Sequence, residues 1–215
     1  MTFIIVLLGW VFSLCVHEFS HAAVAYAGGD TSVREKGYLT FNPLKYTHPV
    51  YSLLLPLLFL ALGGIGLPGG AVYIETWRLR SRRWVTAVSL AGPASNLILA
   101  ILLGILLSVA PVSSSGIWPA IAFLAFLQVS ALVLNIIPLP PFDGFGALEP
   151  YLSGEIRARV QQFSGLIPWA VFFLLWYIPV VNQGFWTLVF GIAHLIGVPL
   201  DLAMAGLQGF QFWVR

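Results

Sequence analysis

A chain of 215 residues with 59% hydrophobic and only 8% charged side chains is not a soluble globular domain, which carries about 25% charge. The formal charge of +2 says little by itself, and no nucleic-acid partner is expected. Cys15 is the only cysteine, which excludes an internal disulfide and a Cys-based metal site. Apolar stretches recur along the whole length, so one membrane-embedded domain over residues 1–215 is expected. Its core is placed at 1–148 and C-terminal accessory helices at 149–215. The fold class is an all-α integral membrane protein, a polytopic helix bundle of about five or six membrane segments. One segment is expected to be re-entrant, and a short β-like loop joins the first two core spans.

In chain order, residues 2–27 form the first span, ended by Gly28-Gly29-Asp30. No Lys or Arg precedes this run and no small-residue cleavage site follows it, so it reads as a retained helix. A polar stretch runs to about residue 48. Residues 49–67 are apolar again but interrupted by Pro56, and Gly70-Ala71-Val72-Tyr73-Ile74 resembles a short strand after a turn. A clear span covers 84–110, preceded by Arg78, Arg80, Arg82 and Arg83. The next begins near Ile117 and runs into Asn135-Ile136-Ile137-Pro138-Leu139-Pro140-Pro141-Phe142-Asp143-Gly144, whose prolines must end the helix. Two further apolar stretches, 166–181 and 185–200, flank an expected turn at Asn182-Gln183-Gly184. The tail from Asp201 is expected on the surface as an amphipathic helix.

His17-Glu18-Phe19-Ser20-His21 lies inside the first span. Two His at i and i+4 share a helix face and can bind one metal, and the Glu between them can act as a base. Ionisable groups at the centre of a membrane helix cost about 2.5–3.5 kcal/mol each, and a bound metal accounts for three in five residues. A catalytic zinc takes three protein ligands and keeps one open position. Asp143 is the expected third ligand, with Glu149 as its rival. His48, His194 and Cys15 are expected to be structural.

Lys and Arg collect in cytoplasmic loops. Seven of the ten lie between Arg34 and Arg83, and two are Arg157 and Arg159. Residues 28–83 and 142–165 are therefore expected on the cytoplasmic side of a bacterial-type plasma membrane, provided that 49–67 re-enters rather than crosses. The histidines, Gly92-Pro93-Ala94-Ser95-Asn96 and Asp143 then fall at one depth, toward the cytoplasm.

Together, the pentapeptide, the Gly92–Asn96 element and the Asn135–Gly144 segment resemble the site-2 proteases, zinc-dependent intramembrane metalloproteases. The resemblance covers residues 7–148 in the family's motif order. It implies His17, His21 and Asp143 as ligands of one Zn2+ per chain, Glu18 as catalytic base, and Asn96 and Asn135 as supporting residues near the substrate. It implies an endopeptidase cleaving the transmembrane segment of a single-span membrane protein in the bilayer. The chain has no room for the PDZ or CBS modules of many relatives, so a separate gating or adaptor protein is a possible partner. An ion transporter is the competing class, but the polar residues gather at one depth and no inverted repeat is visible.

Overall fold

The computed structural model describes residues 1–46, 72–110 and 113–213. The expected re-entrant stretch 49–67 and the start of the strand-like segment, Gly70 and Ala71, lie outside the described residues. Among the described residues the fold is entirely α-helical, with short 3-10 turns and no strand.

Helix α1, Thr2–Gly28, is mostly apolar and at about 1.5 Å per residue is long enough to cross a bilayer. It ends where Gly29 adopts φ 117° and the Asp30 N–H reaches back to the Ala25 carbonyl at 2.9 Å, closing the last turn. A single turn, α2 (Ser32–Glu35), follows. Helix α3, Arg82–Val109, is the second span, and α4, Trp118–Asn135, is the third. Of the three, α4 is central: 83% of its span is buried, against 39% for α1 and for α3. A helix apolar on every side belongs in the middle of a bundle. Helices α1 and α3 pack on it and on each other.

Small residues set these approaches, as is usual where lipid removes the hydrophobic drive for helix pairing. A Cβ on Gly9 would stand 2.5 Å from a Leu124 methyl. The three prolines after Asn135 turn the chain into α5, Asp143–Leu148, which packs against α3.

Beyond α5 come α6 (Gly154–Phe163), α7 (Ile167–Tyr177), α8 (Pro179–Leu195) and α9 (Leu200–Phe210). None alone is a candidate span; α6 with α7 and α8 with α9 qualify only as pairs, bent by 70° and 117°. The described residues thus hold three candidate spans, or five if each bent pair is one. The expected turn at Asn182-Gln183-Gly184 is instead interior to α8. The break falls at Ile178, held extended (φ −102°, ψ 105°) by the proline that follows it. Helix α9 is amphipathic as expected: Asp201, Met204, Ala205 and Gln208 are exposed, whereas Leu202, Ala203, Gly206 and Phe210 are buried where α9 packs against α4. Gly206 lies so close to the Pro119 carbonyl that no side chain fits between them.

Candidate metal centre

His17 and His21 are one helical turn apart on α1, and both are buried. Each ring is fixed from behind through Nδ1. His21 Nδ1–H donates to the Val88 carbonyl oxygen on α3 at 2.7 Å, and His17 Nδ1–H donates to Asn96 Oδ1, also on α3, at 2.6 Å. Those bonds place a proton on each Nδ1, which in the neutral imidazole leaves Nε2 as the acceptor. The two Nε2 atoms stand 3.1 Å apart. Asp143, the first residue of α5, brings Oδ2 to 3.2 Å from His17 Nε2 and Oδ1 to 3.4 Å from His21 Nε2. Buried Asp143 Oδ2 has no hydrogen-bond donor among the described residues.

With both imidazoles neutral, acceptors from three side chains face one another with no proton between them. Such a set is repulsive unless a cation sits among them. Donors about 2.0–2.2 Å from one tetrahedral ion are spaced about 3.4 Å apart, so the observed separations of 3.1 to 3.4 Å suit a single ion. The second bond on each imidazole is the outer support that metal-ligating histidines normally have. Among the described residues this is the one group of three or more His, Cys, Asp or Glu side chains able to hold a metal.

Gly92 completes the cradle. A Cβ there would run into His21 Nε2 and His17 Nε2, so only glycine lets the α3 backbone pass this close to both imidazoles. Glu18 is 3% exposed and accepts a hydrogen bond from the Val72 N–H at 3.1 Å through Oε2. Both histidines, Glu18, Asp143, Asn135, Val72 and Ile74 line one cavity of about 230 Å3.

The segment over this cavity is held from its far side. Residues 72–75 carry no regular secondary structure. The Tyr73 carbonyl accepts from Lys36 Nζ at 3.2 Å, and the Glu75 N–H donates to Asp30 Oδ2 at 2.8 Å. Asp30 is fully buried and also accepts from the Ser32 N–H and hydroxyl. The Glu75 side chain pairs with Lys36 at 2.8 Å and with Arg78, which together hold its carboxyl below its ordinary pKa. The Arg80 N–H closes the clamp on the Gly28 carbonyl at 3.0 Å.

Of the residues singled out in the sequence, His17, His21 and Asp143 converge and Glu18 lies beside them. Asn96 meets the back of the His17 ring. Asn135 is buried at the cavity wall. Glu149 is absent from the cluster; its carboxylate lies 3.8 Å from Arg157. His194 is exposed on α8, and His48 is outside the described residues. Cys15 packs as a small buried side chain beside Tyr46 and Ala22. Sequence reasoning missed Ser13 and Gln128, whose buried side chains bond at 2.8 Å between α1 and α4. The signal was there, since a glutamine inside an apolar span needs a partner.

A zinc metalloprotease named Rip2 from Mycolicibacterium smegmatis is 49% identical over 215 residues, covering 98% of this chain and 81% of that protein. Rip2 of Mycobacterium tuberculosis strain H37Rv is 47% identical over 217 residues with the same coverage. The zinc metalloprotease YwhC of Bacillus subtilis is 29% identical over 191 residues, 83% of either chain. No protein-family profile and no solved structure matches.

Proposed function

The chain belongs to the site-2 protease family of zinc metalloproteases, and from that premise we propose that it is an intramembrane endopeptidase cutting a single-span membrane protein inside the bilayer. One observation supports this above the others: the three-ligand cradle and Glu18 share a buried cavity walled by apolar helices long enough to span a membrane. In this reading His17 Nε2, His21 Nε2 and an Asp143 carboxylate oxygen hold the zinc. Asn96 and the Val88 carbonyl keep the two rings in register.

When bound, the zinc supplies Lewis acidity at the scissile carbonyl and lowers the pKa of water toward about 7. Glu18 is the base. Its Oε2 is engaged by the Val72 N–H, leaving Oε1 to take the proton from the attacking water and pass it to the departing amine nitrogen. A substrate helix hides its carbonyls in hydrogen bonds and has to unwind before attack. The 72–75 segment offers a place for the unwound strand. Its Tyr73 C=O and Glu75 N–H are tied to Lys36 and Asp30, whereas the Ile74 N–H and C=O make no hydrogen bond among the described residues. An unwound substrate strand could pair with those two groups. Residues 28–83 and 142–165 face the cytoplasm in this proposal, which opens the cavity to water on that side.

The experiment is reconstitution of the purified chain in vesicles with a panel of single-span proteins, followed by mass spectrometry of the products. The expected result is a zinc-dependent cut within the transmembrane segment, absent with Glu18→Gln. Cuts confined to soluble loops or soluble peptides would overturn the intramembrane reading.

A further inference from the structure

The start of α3 and the residue pair before it carry positive charge that no carboxylate among the described residues neutralises. Arg80, Arg82 and Arg83 are exposed, and no carboxylate among the described residues lies within ion-pair distance of them. Nearby Arg78 and Lys36 both pair with Glu75, and Arg157 pairs with Glu149. Arg82 and Arg83 also stand at the helix end where positive charge is unfavourable, with no acidic residue in that turn. Helix α3 has 28 residues, about 42 Å against a hydrocarbon core of about 30 Å, which is long enough for its arginine-bearing end to stand among the headgroups. Two exposed aromatics mark the same level. Trp77 is 69% exposed just before the arginines. Tyr151, 56% exposed, places its hydroxyl 3.3 Å from Thr86 Oγ1, one turn further along α3. Aromatic side chains of this kind gather at the membrane–water boundary.

We propose that Arg80, Arg82 and Arg83 form a headgroup site for an anionic phospholipid, and that its occupancy pins the 72–80 segment over Glu18. A guanidinium matches a phosphate with paired N–H donors, which lysine cannot do. Arg80 belongs to the clamped segment, whose main chain is already fixed to Gly28, whereas Arg82 and Arg83 belong to α3. One phosphate engaged by both sets fastens the segment's C-terminal end to the span, and the same segment reaches Glu18 through Val72.

The test uses the full purified chain and needs no substrate. Native mass spectrometry counts phosphatidylglycerol and phosphatidylcholine bound from detergent at equal concentration. Phosphatidylglycerol is expected in excess by roughly fivefold or more, fivefold being what about 1 kcal/mol from a single basic residue near the surface gives. Arg80→Gln, Arg82→Gln and Arg83→Gln combined abolish the excess, whereas Arg157→Gln with Arg159→Gln does not. In vesicles, hydrogen exchange across residues 72–80 slows when phosphatidylglycerol replaces part of the phosphatidylcholine, in the parent but not in the triple variant. If the triple variant melts below the parent in phosphatidylcholine, the single substitutions carry the test, each losing part of the preference. A triple variant that keeps the preference, or unchanged exchange in the parent, overturns the proposal. Inorganic phosphate producing the same slowing assigns the arginines to a soluble anion and overturns it as well.

Discussion

Gly92 is where one atom decides the chemistry. Its missing Cβ is the space between α3 and the two imidazoles, so Gly92→Ala is expected to abolish stoichiometric zinc while leaving the helices intact. Metal analysis and circular dichroism separate the two outcomes, and full zinc in the variant would mean that α3 can withdraw. Asn96→Ala frees the His17 ring to rotate and is expected to weaken zinc binding by about 10–100-fold, the usual effect of losing an outer partner. Competition with a chelator measures it. Glu18→Gln should keep the metal and lose cleavage by about 10²–10⁴-fold; turnover within tenfold of the parent would move the base elsewhere. The side chains of this site were legible because His, Glu and Asp are costly inside an apolar run. Two of its partners were not. The Val88 carbonyl and the Val72 N–H are backbone groups, and every residue but proline carries both. Only the fold selects which of them meets His21 or Glu18.

At the level of elements, the clamp on residues 72–80 has a pH signature. Lys36 and Arg78 hold the Glu75 carboxyl below its ordinary pKa, whereas unfolding returns it to about 4.3. A depressed carboxylate contributes its stabilisation fully above the unfolded value and loses it as pH falls through the folded one. Hydrogen exchange of 72–80 is therefore expected to accelerate below about pH 4, and Glu75→Gln should raise exchange at neutral pH and flatten that acid dependence. An unchanged profile in the variant would leave Asp30 alone as the clamp. Sidedness is tested on the same stretch. With Cys15→Ser as background, cysteines at Lys45 and Thr76 are expected to react with an impermeant reagent from one face. Labelling from opposite faces would make 49–67 a crossing segment and end the common-depth reading. Chain breaks were partly legible. The prolines after Asn135 end α4 as expected, but Asn182-Gln183-Gly184 suggested a turn that Pro179 had already made. A proline at a helix start fixes its predecessor, and nothing at Gly184 forces a second break.

For the whole molecule, α1, α3 and α4 each contribute to the cavity or lead into it, and α5 delivers Asp143 to the two histidines. Metal removal should accordingly reach beyond the site. Zinc that binds only the folded state stabilises by mass action, so a strong chelator is expected to lower the melting temperature of the purified chain, with no such loss in Asp143→Ala. The three long spans were visible as apolar runs because the period and length of a membrane helix are set by the bilayer. The bent C-terminal pairs were not, since a run of apolar residues is silent about its own bends. Nor did the sequence show that α9 would pack on α4, which depends on Gly206 admitting the Pro119 carbonyl.

The Ile74 N–H and C=O, which make no hydrogen bond among the described residues, carry a consequence for selectivity. On the proposed reading, an incoming strand gains main-chain bonds at Ile74 only after giving up those of its own helix. Helical membrane neighbours, however abundant, then offer these groups nothing while they stay wound. Discrimination would lie in how readily a given helix melts near its cleavage point, with glycine, proline or asparagine there acting as permission. An enzyme built this way reads the fragility of its target, and its sequence preferences would look loose in any peptide that is already unwound.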